Sequence, residues 1–156
     1  MIKHTVTYTN FNDEKVSKDF WFHLSKADIA EIQFQDEDRL LSDLLEELGQ
    51  EGVTAKQSLE IFKSILTKAV GKRSEDGERF IKNDDIRSWF FDTDAYSELL
   101  FSMIDNPTLA ANLINGMMPK DMQDNIKKAT KGRDLNDMTP EELREALKKI
   151  ENNQKG

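Results

Sequence analysis

The 156-residue chain contains no cysteine, which excludes disulfides, thiolate metal sites and a cysteine nucleophile and permits a reducing compartment. It has two histidines, His4 and His23. Alternation along the N-terminal segment places them on opposite faces, which removes a shared metal site and leaves a Ser/His/Asp triad to draw its base from strand residues. No apolar run approaches the ~18 to 20 residues that span a bilayer. Met1-Ile2-Lys3-His4-Thr5 passes straight into an alternating pattern without the apolar core of a signal peptide, so a cytoplasmic address is expected. Positive charge is in deficit, with 22 Lys and Arg against 30 Asp and Glu and a net charge of −8. Such a surface disfavours nucleic acid and anionic membranes and favours soluble protein partners. No repeat of ~20 to 50 residues is visible, and nothing in the sequence requires a cofactor.

What the chain does contain is a change of period. Ile2 to Thr9 and Lys15 to His23 alternate and are rich in β-branched and aromatic residues, which predicts a β-hairpin. With Thr9 paired to Lys15, the residues Ile2, His4, Val6, Tyr8, Val16, Phe20 and Phe22 share one face, with Lys18 as the outlier. An isolated hairpin is marginal in water, so that face must be covered. Ser25 and Asp28 mark a helix start, predicting a helix from Lys26 to about Gln35. Leu40, Leu41, Leu44, Leu45 and Leu48 give a second helical stripe ending at Gly49. Thr54 to Gln57 has the capping-box form and opens a helix that ends at Gly71, read as a left-handed cap.

Gly71 to Lys82 is read as a charged connector between helices, with Gly77 supplying a tight turn and Phe80 and Ile81 pinning the chain to the core. Its glycine spacing is wrong for a phosphate-binding loop, and it lacks the ligand series of a calcium-binding loop. Asp84 or Asp85 then caps a short helix through Phe91, Thr93 starts another, and Asn106-Pro107 starts a third, closed by Pro119. Residues 1–118 carry 13 basic and 22 acidic side chains, whereas residues 119–156 carry 9 and 8. The expectation is therefore a predominantly helical α+β protein: a hairpin plus helical core over 1–118, about six helices, and a loosely attached C-terminal helical arm over 119–156. Thr139-Pro140-Glu141-Glu142 starts a helix within that arm.

Adjacent carboxylates at Glu46-Glu47, Glu75-Asp76, Asp84-Asp85 and Glu141-Glu142 do not face each other on a helix, and capping or solvated roles are the simpler reading. Trp89-Phe90-Phe91 is too dense in aromatics for one side of a short helix, so two rings are expected in the core and the third as an anchor for another protein. Met117 and Met118 supply flexible apolar side chains of a kind found on adaptable binding surfaces. Trp89, Phe90, Phe91, Met117 and Met118 are thus the candidate partner-binding residues, with no catalytic, cofactor or metal residues proposed. The acidic segment from Asp36 to Glu51 is either a solvated helix face or a surface for a basic partner.

Four stretches, taken in order, carry a family resemblance: His4-Thr5-Val6-Thr7-Tyr8-Thr9-Asn10-Phe11; Phe20-Trp21-Phe22-His23-Leu24-Ser25-Lys26-Ala27; Ser74-Glu75-Asp76-Gly77-Glu78-Arg79-Phe80-Ile81-Lys82; and Ala95 to Leu99 with Ile114-Asn115-Gly116-Met117-Met118-Pro119. From Thr5 to Asp121 the chain is similar to the tail assembly chaperones of long-tailed, non-contractile bacteriophages. The region from Gln33 to Gly52 and the lysine-rich tail after Lys120 depart from that pattern. The resemblance implies a non-enzymatic protein of the infected bacterial cytoplasm that coats the helical tape measure protein, keeps it soluble, delivers it to tail tube subunits and leaves before the virion is complete. Read from its residues, the chain is expected to bind along the tape measure helix in several copies, helped by self-association through the hairpin edge or the C-terminal arm. A permanent tube-end or connector subunit of the tail is the alternative.

Overall fold

In the computed structural model, which describes residues 1–35, 54–129 and 145, the alternating segments form the antiparallel strands β1 (Ile2–Thr9) and β2 (Lys15–Phe22). Their register runs from Thr9 opposite Lys15 to Ile2 opposite Phe22, as the pattern predicts. The turn is set by Asn10, whose Oδ1 accepts from the amides of Asn12 (2.9 Å) and Glu14 (3.0 Å) while Asp13 takes a left-handed φ of 62°. Val6, Tyr8, Phe20 and Phe22 are buried on one face, and Lys18, in phase with them, is exposed. On the other face the Thr5 hydroxyl donates to Asp19 (2.6 Å) and the hydroxyls of Thr7 and Ser17 lie 2.8 Å apart.

Helix α1 (Lys26–Gln35) begins on a reciprocal cap: the Asp28 amide donates to the Ser25 hydroxyl and the Ser25 amide to the Asp28 carboxylate. Helix α2 (Ala55–Ala69) begins on the predicted capping box of Thr54 and Gln57. The leucine helix expected over Leu40 to Leu48 and the helix start at Thr139 lie outside the described residues.

At the end of α2 the structure corrects the sequence expectation. Val70 is already extended (φ −65°, ψ 133°), and the chain runs without a loop into β3 (Val70–Arg73), which forms a hairpin with β4 (Phe80–Ile81). Gly71 is no left-handed cap; it sits in the strand opposite Trp21. Its lack of a side chain matters for a different reason: a Cβ there would meet the Phe80 ring and stand 2.7 Å from the Ile81 carbonyl oxygen. Gly77, with φ of 76°, does supply the turn between β3 and β4, where Asp76 accepts from the Glu78 amide and the Ser74 hydroxyl. The expected connector is thus half of a four-stranded sheet in the order β1-β2-β3-β4.

Helix α3 (Asp84–Phe91) is capped by Asn83, one residue before the expected Asp84 or Asp85; the Ile86 amide donates to Asn83 Oδ1 at 2.9 Å. Helix α4 (Asp94–Asp105) follows Thr93, and α5 (Pro107–Met117) follows the predicted Asn106 cap with Pro107 in its first turn. A sixth helix among the described residues, α6 (Lys120–Ala129), was not anticipated as a separate element. The apolar stripes of α2, α4 and α5 close over the inner face of the hairpin, joining Ile65, Leu66, Leu99, Met103, Leu113 and Ile114 to Phe20 and Phe22 in one core. The last turn of α5 lies on the start of β1, since a Cβ at Gly116 would come within 2.9 Å of Ile2 Cβ. Leu24 donates its amide to the Met117 carbonyl (2.7 Å), and Gln123 of α6 donates to that of Met118 (2.8 Å).

An ion pair ties the start of α1 to the chain leaving β4: Lys82 Nζ lies 2.6 Å from the Asp28 carboxylate, both largely shielded. Burial alone would raise the Asp28 carboxyl, but hydrogen bonds from Lys82 and Ser25 and the Lys82 charge hold it below the ordinary carboxylate value. A depressed folded-state pKa stabilises the protein above the unfolded value, near 4, and that contribution disappears as pH falls through the folded value. Asp28→Asn should lower stability by about 2 kcal/mol at pH 7, and the gap to wild type in urea unfolding should shrink steadily below about pH 4. Gly71→Ala should cost about 2 to 3 kcal/mol because the added methyl meets backbone. Gly77→Ala, strained only by its φ, should cost about 1 kcal/mol in the same measurement.

Candidate functional site

The ladder between β2 and β3 is short. It ends at Trp21 opposite Gly71, after which β3 diverges to pair with β4 through Lys72 and Arg73, while β2 continues back to Lys15. The His23 amide donates to the Ala69 carbonyl across this ladder (2.9 Å). Main-chain groups of alternate residues point to the same side of a strand, so those of Trp21, Asp19, Ser17 and Lys15 also turn toward β3. Only Trp21 among these four has a β3 partner in the ladder.

The divergence opens a notch of about 420 Å³. One wall is Asp19, Phe20 and Trp21 of β2, the other is Val70, Gly71 and Lys72 of β3, and α3 contributes Asp85, Ile86 and Trp89 at helical spacing. Trp89 is 50% exposed, and its ring packs on Phe20 at a centroid distance of 5.0 Å. Beneath it, Phe90 touches Phe20 (5.0 Å), Phe22 (5.6 Å), Phe91 (5.2 Å) and Tyr96 (5.9 Å). The exposed indole is therefore mounted on a close-packed aromatic column, where one face is fixed and the other is free to meet a partner.

Of the five candidate partner-binding residues, Trp89 alone is exposed. Phe90, Met117 and Met118 are fully buried, and Phe91 packs half-buried against the core and against Tyr96 (4.7 Å). The structure does not bring the five into one surface patch. Phe20, Ile86 and Lys72 line the notch although the sequence offered Phe20 only as a core-face residue and Lys72 only as a solvated charge of the connector. The signal for Lys72 was the β3–β4 hairpin, whose strands of four and two residues are too short to announce themselves by alternation.

The chemistry of the remaining polar groups is mild. Burial lowers His4, and burial followed by the N-terminal and Lys82 charges lowers His23, which in both favours the neutral imidazole. The Thr5 hydrogen bond and Lys3 outweigh partial burial to hold the Asp19 carboxyl below its ordinary value. Asp84 and Asp85 are exposed at the start of α3, with Asp84 3.4 Å from Arg87, and Glu75 and Asp76 lie in the exposed β3–β4 turn. Glu46-Glu47 and Glu141-Glu142 lie outside the described residues. Among the described residues no group of three or more His, Asp or Glu is arranged to hold a metal ion, and no helix is long and apolar enough to cross a membrane.

Comparison with known proteins adds one finding. A family model described as phage tail assembly chaperone matches residues 1–155. No curated protein and no solved structure matches the chain significantly. The family match runs through both regions that looked untypical by sequence, Gln33 to Gly52 and the tail after Lys120, and so extends the resemblance to almost the full length. Proteins of this kind are generally non-enzymatic and act with tail proteins during assembly in the host. Matched over nearly every residue, the chain belongs to the phage tail assembly chaperone family.

Proposed function

We propose that this chain holds the tape measure protein of its phage in soluble form and hands it to the tail tube during assembly, without catalysing a reaction, in the cytoplasm of the infected host. Membership of the family carries the proposal. Three physical features support it. The net charge of −8 keeps the chaperone and its complexes apart from one another in solution. An exposed indole on a rigid aromatic mount is suited to gripping a partner without rearrangement of the core. The outer edge of β1, unpaired among the described residues, and the segment from residue 119 onward, read as a partly independent arm, are the proposed sites of self-association along a long client.

Co-expression of the tape measure protein with and without this chain, followed by size-exclusion chromatography with light scattering, tests the reading. A tape measure protein that stays soluble and co-elutes only in the presence of the chaperone is the expected result. Equal solubility in its absence, with no co-elution, would rule the reading out. Mass spectrometry of purified virions should find no copies of this chain; a fixed copy number would instead make it a permanent tail subunit.

A further inference from the structure

We propose that the notch between β2 and β3 is a binding site for an extended, acidic segment of a partner protein, which adds as a strand to the free edge of β2 and inserts an aromatic or large aliphatic side chain against Trp89. This deepens the reading of Trp89 as a partner anchor but does not require the partner to be the tape measure protein.

Three observations converge on this ligand. First, the edge offers main-chain groups: beyond Trp21 the N–H and C=O groups of Asp19, Ser17 and Lys15 face the side that β3 has left, and the ladder holds no partner for them among the described residues. Strand addition uses such a row for affinity and alternate side-chain pockets for specificity. Second, the pocket lies where such a side chain would fall, because Phe20 on the inner face of the sheet and Ile86 and Trp89 of α3 are among the residues that line its roughly 420 Å³. Third, although the lining itself holds Asp19 and Asp85 against Lys72, the ends of β2 and β3 between which an added strand would lie are basic. Lys18 is in phase with Phe20 on β2 and Lys72 with Val70 on β3, and Lys15 and Arg73 stand on the alternate phase of the same strands. None of the four has an ion pair among the described residues.

The opposing acids are weaker claims on these cations. Asp19 is already held by Thr5 and Lys3, at 2.6 and 3.4 Å, which leaves Asp85 as the acid of the lining without an ion pair among the described residues. In a chain of net charge −8, a locally cationic strand edge selects an acidic ligand at short range while the overall field discourages indiscriminate binding. Lys18 has a second role in this arrangement: a charge on the core-facing phase of an open edge deters pairing with arbitrary apolar strands. The outer edge of β1 is also unpaired among the described residues, but its cation Lys3 is already engaged with Asp19 and the Trp21 ring.

The probe is a fluorescein-labelled peptide, Val-Glu-Asp-Thr-Phe-Thr-Asp-Glu-Val, whose Phe shares a face with the two Asp. It is titrated with the full chain in fluorescence anisotropy, beside one version with every acid replaced by Lys and one with both Thr replaced by Pro. The acidic peptide should bind saturably, at least about tenfold more tightly than either control, and should weaken as salt is raised. Trp89→Ala and, separately, Lys72→Glu should each loosen it about tenfold or more, with circular dichroism confirming that the variants fold. Hydrogen exchange should slow at the Ser17 and Asp19 amides when the peptide is bound. Absence of saturable binding, equal binding of all three peptides, indifference to both substitutions, or protection located away from β2 would each overturn the proposal. Because the probe is synthetic, such a failure leaves co-elution with the tape measure protein unaffected, and the two readings fall separately.

Discussion

A two-stranded ribbon with one apolar face has to hide that face, and nearly every other element of this protein is arranged by that demand. Phe20 and Phe22 are 2% and 0% exposed, yet a lone hairpin gives them nothing to pack on. Phe90 is set between them by α3, while α2, α4 and α5 bring their stripes over the rest of the inner face. Burying three large rings in mutual contact supplies several kilocalories per mole of area-dependent stabilisation, with edge-on ring geometry adding about 1 kcal/mol for a pair. Trp89, next to Phe90 on the helix, cannot enter the same core and is left on the surface. The exposed indole is in that sense a by-product of how tightly its neighbour is held.

The features legible in the sequence were those whose signal is local. The β1–β2 register followed from alternation, and the Ser25, Thr54 and Asn106 starts followed from side chains that satisfy amides within three residues. Asn83 was passed over because two aspartates follow it, and either could have played the same part. The β3–β4 hairpin was missed because four and two residues cannot display a period, and because a glycine after a long helix has two explanations. A left-handed cap and a close backbone approach leave the same letter in the sequence; only the position of Phe80 and Ile81 decides between them.

The fate of the five candidate side chains was legible in part, for a similar reason. Three consecutive aromatics on a helix point in directions ~100° apart, so one of them had to be excluded from the core, and the structure identifies it as Trp89. The methionines were different. Met117 and Met118 stand at the end of a helix with no local indication of what covers them, and both are buried in a core assembled from elements distant in sequence, which the chain end meets through the Leu24 amide on the Met117 carbonyl. Methionine adapts to many surroundings, which makes its environment the hardest to read from its neighbours along the chain.

The loopless passage from α2 into β3 bears on how this protein can vary in length. Ala69 and Val70 are both buried, and one is the last residue of a helix and the other the first of a strand. A residue inserted between them would rotate α2 by ~100° about its axis, or else turn every side chain of β3 to the opposite face of the sheet. Related chains can therefore lengthen at the exposed turns around Asn12 and Glu75, while the distance from Thr54 to Gly71 is fixed by geometry. Homologues should align there without gaps even where almost no residue is shared.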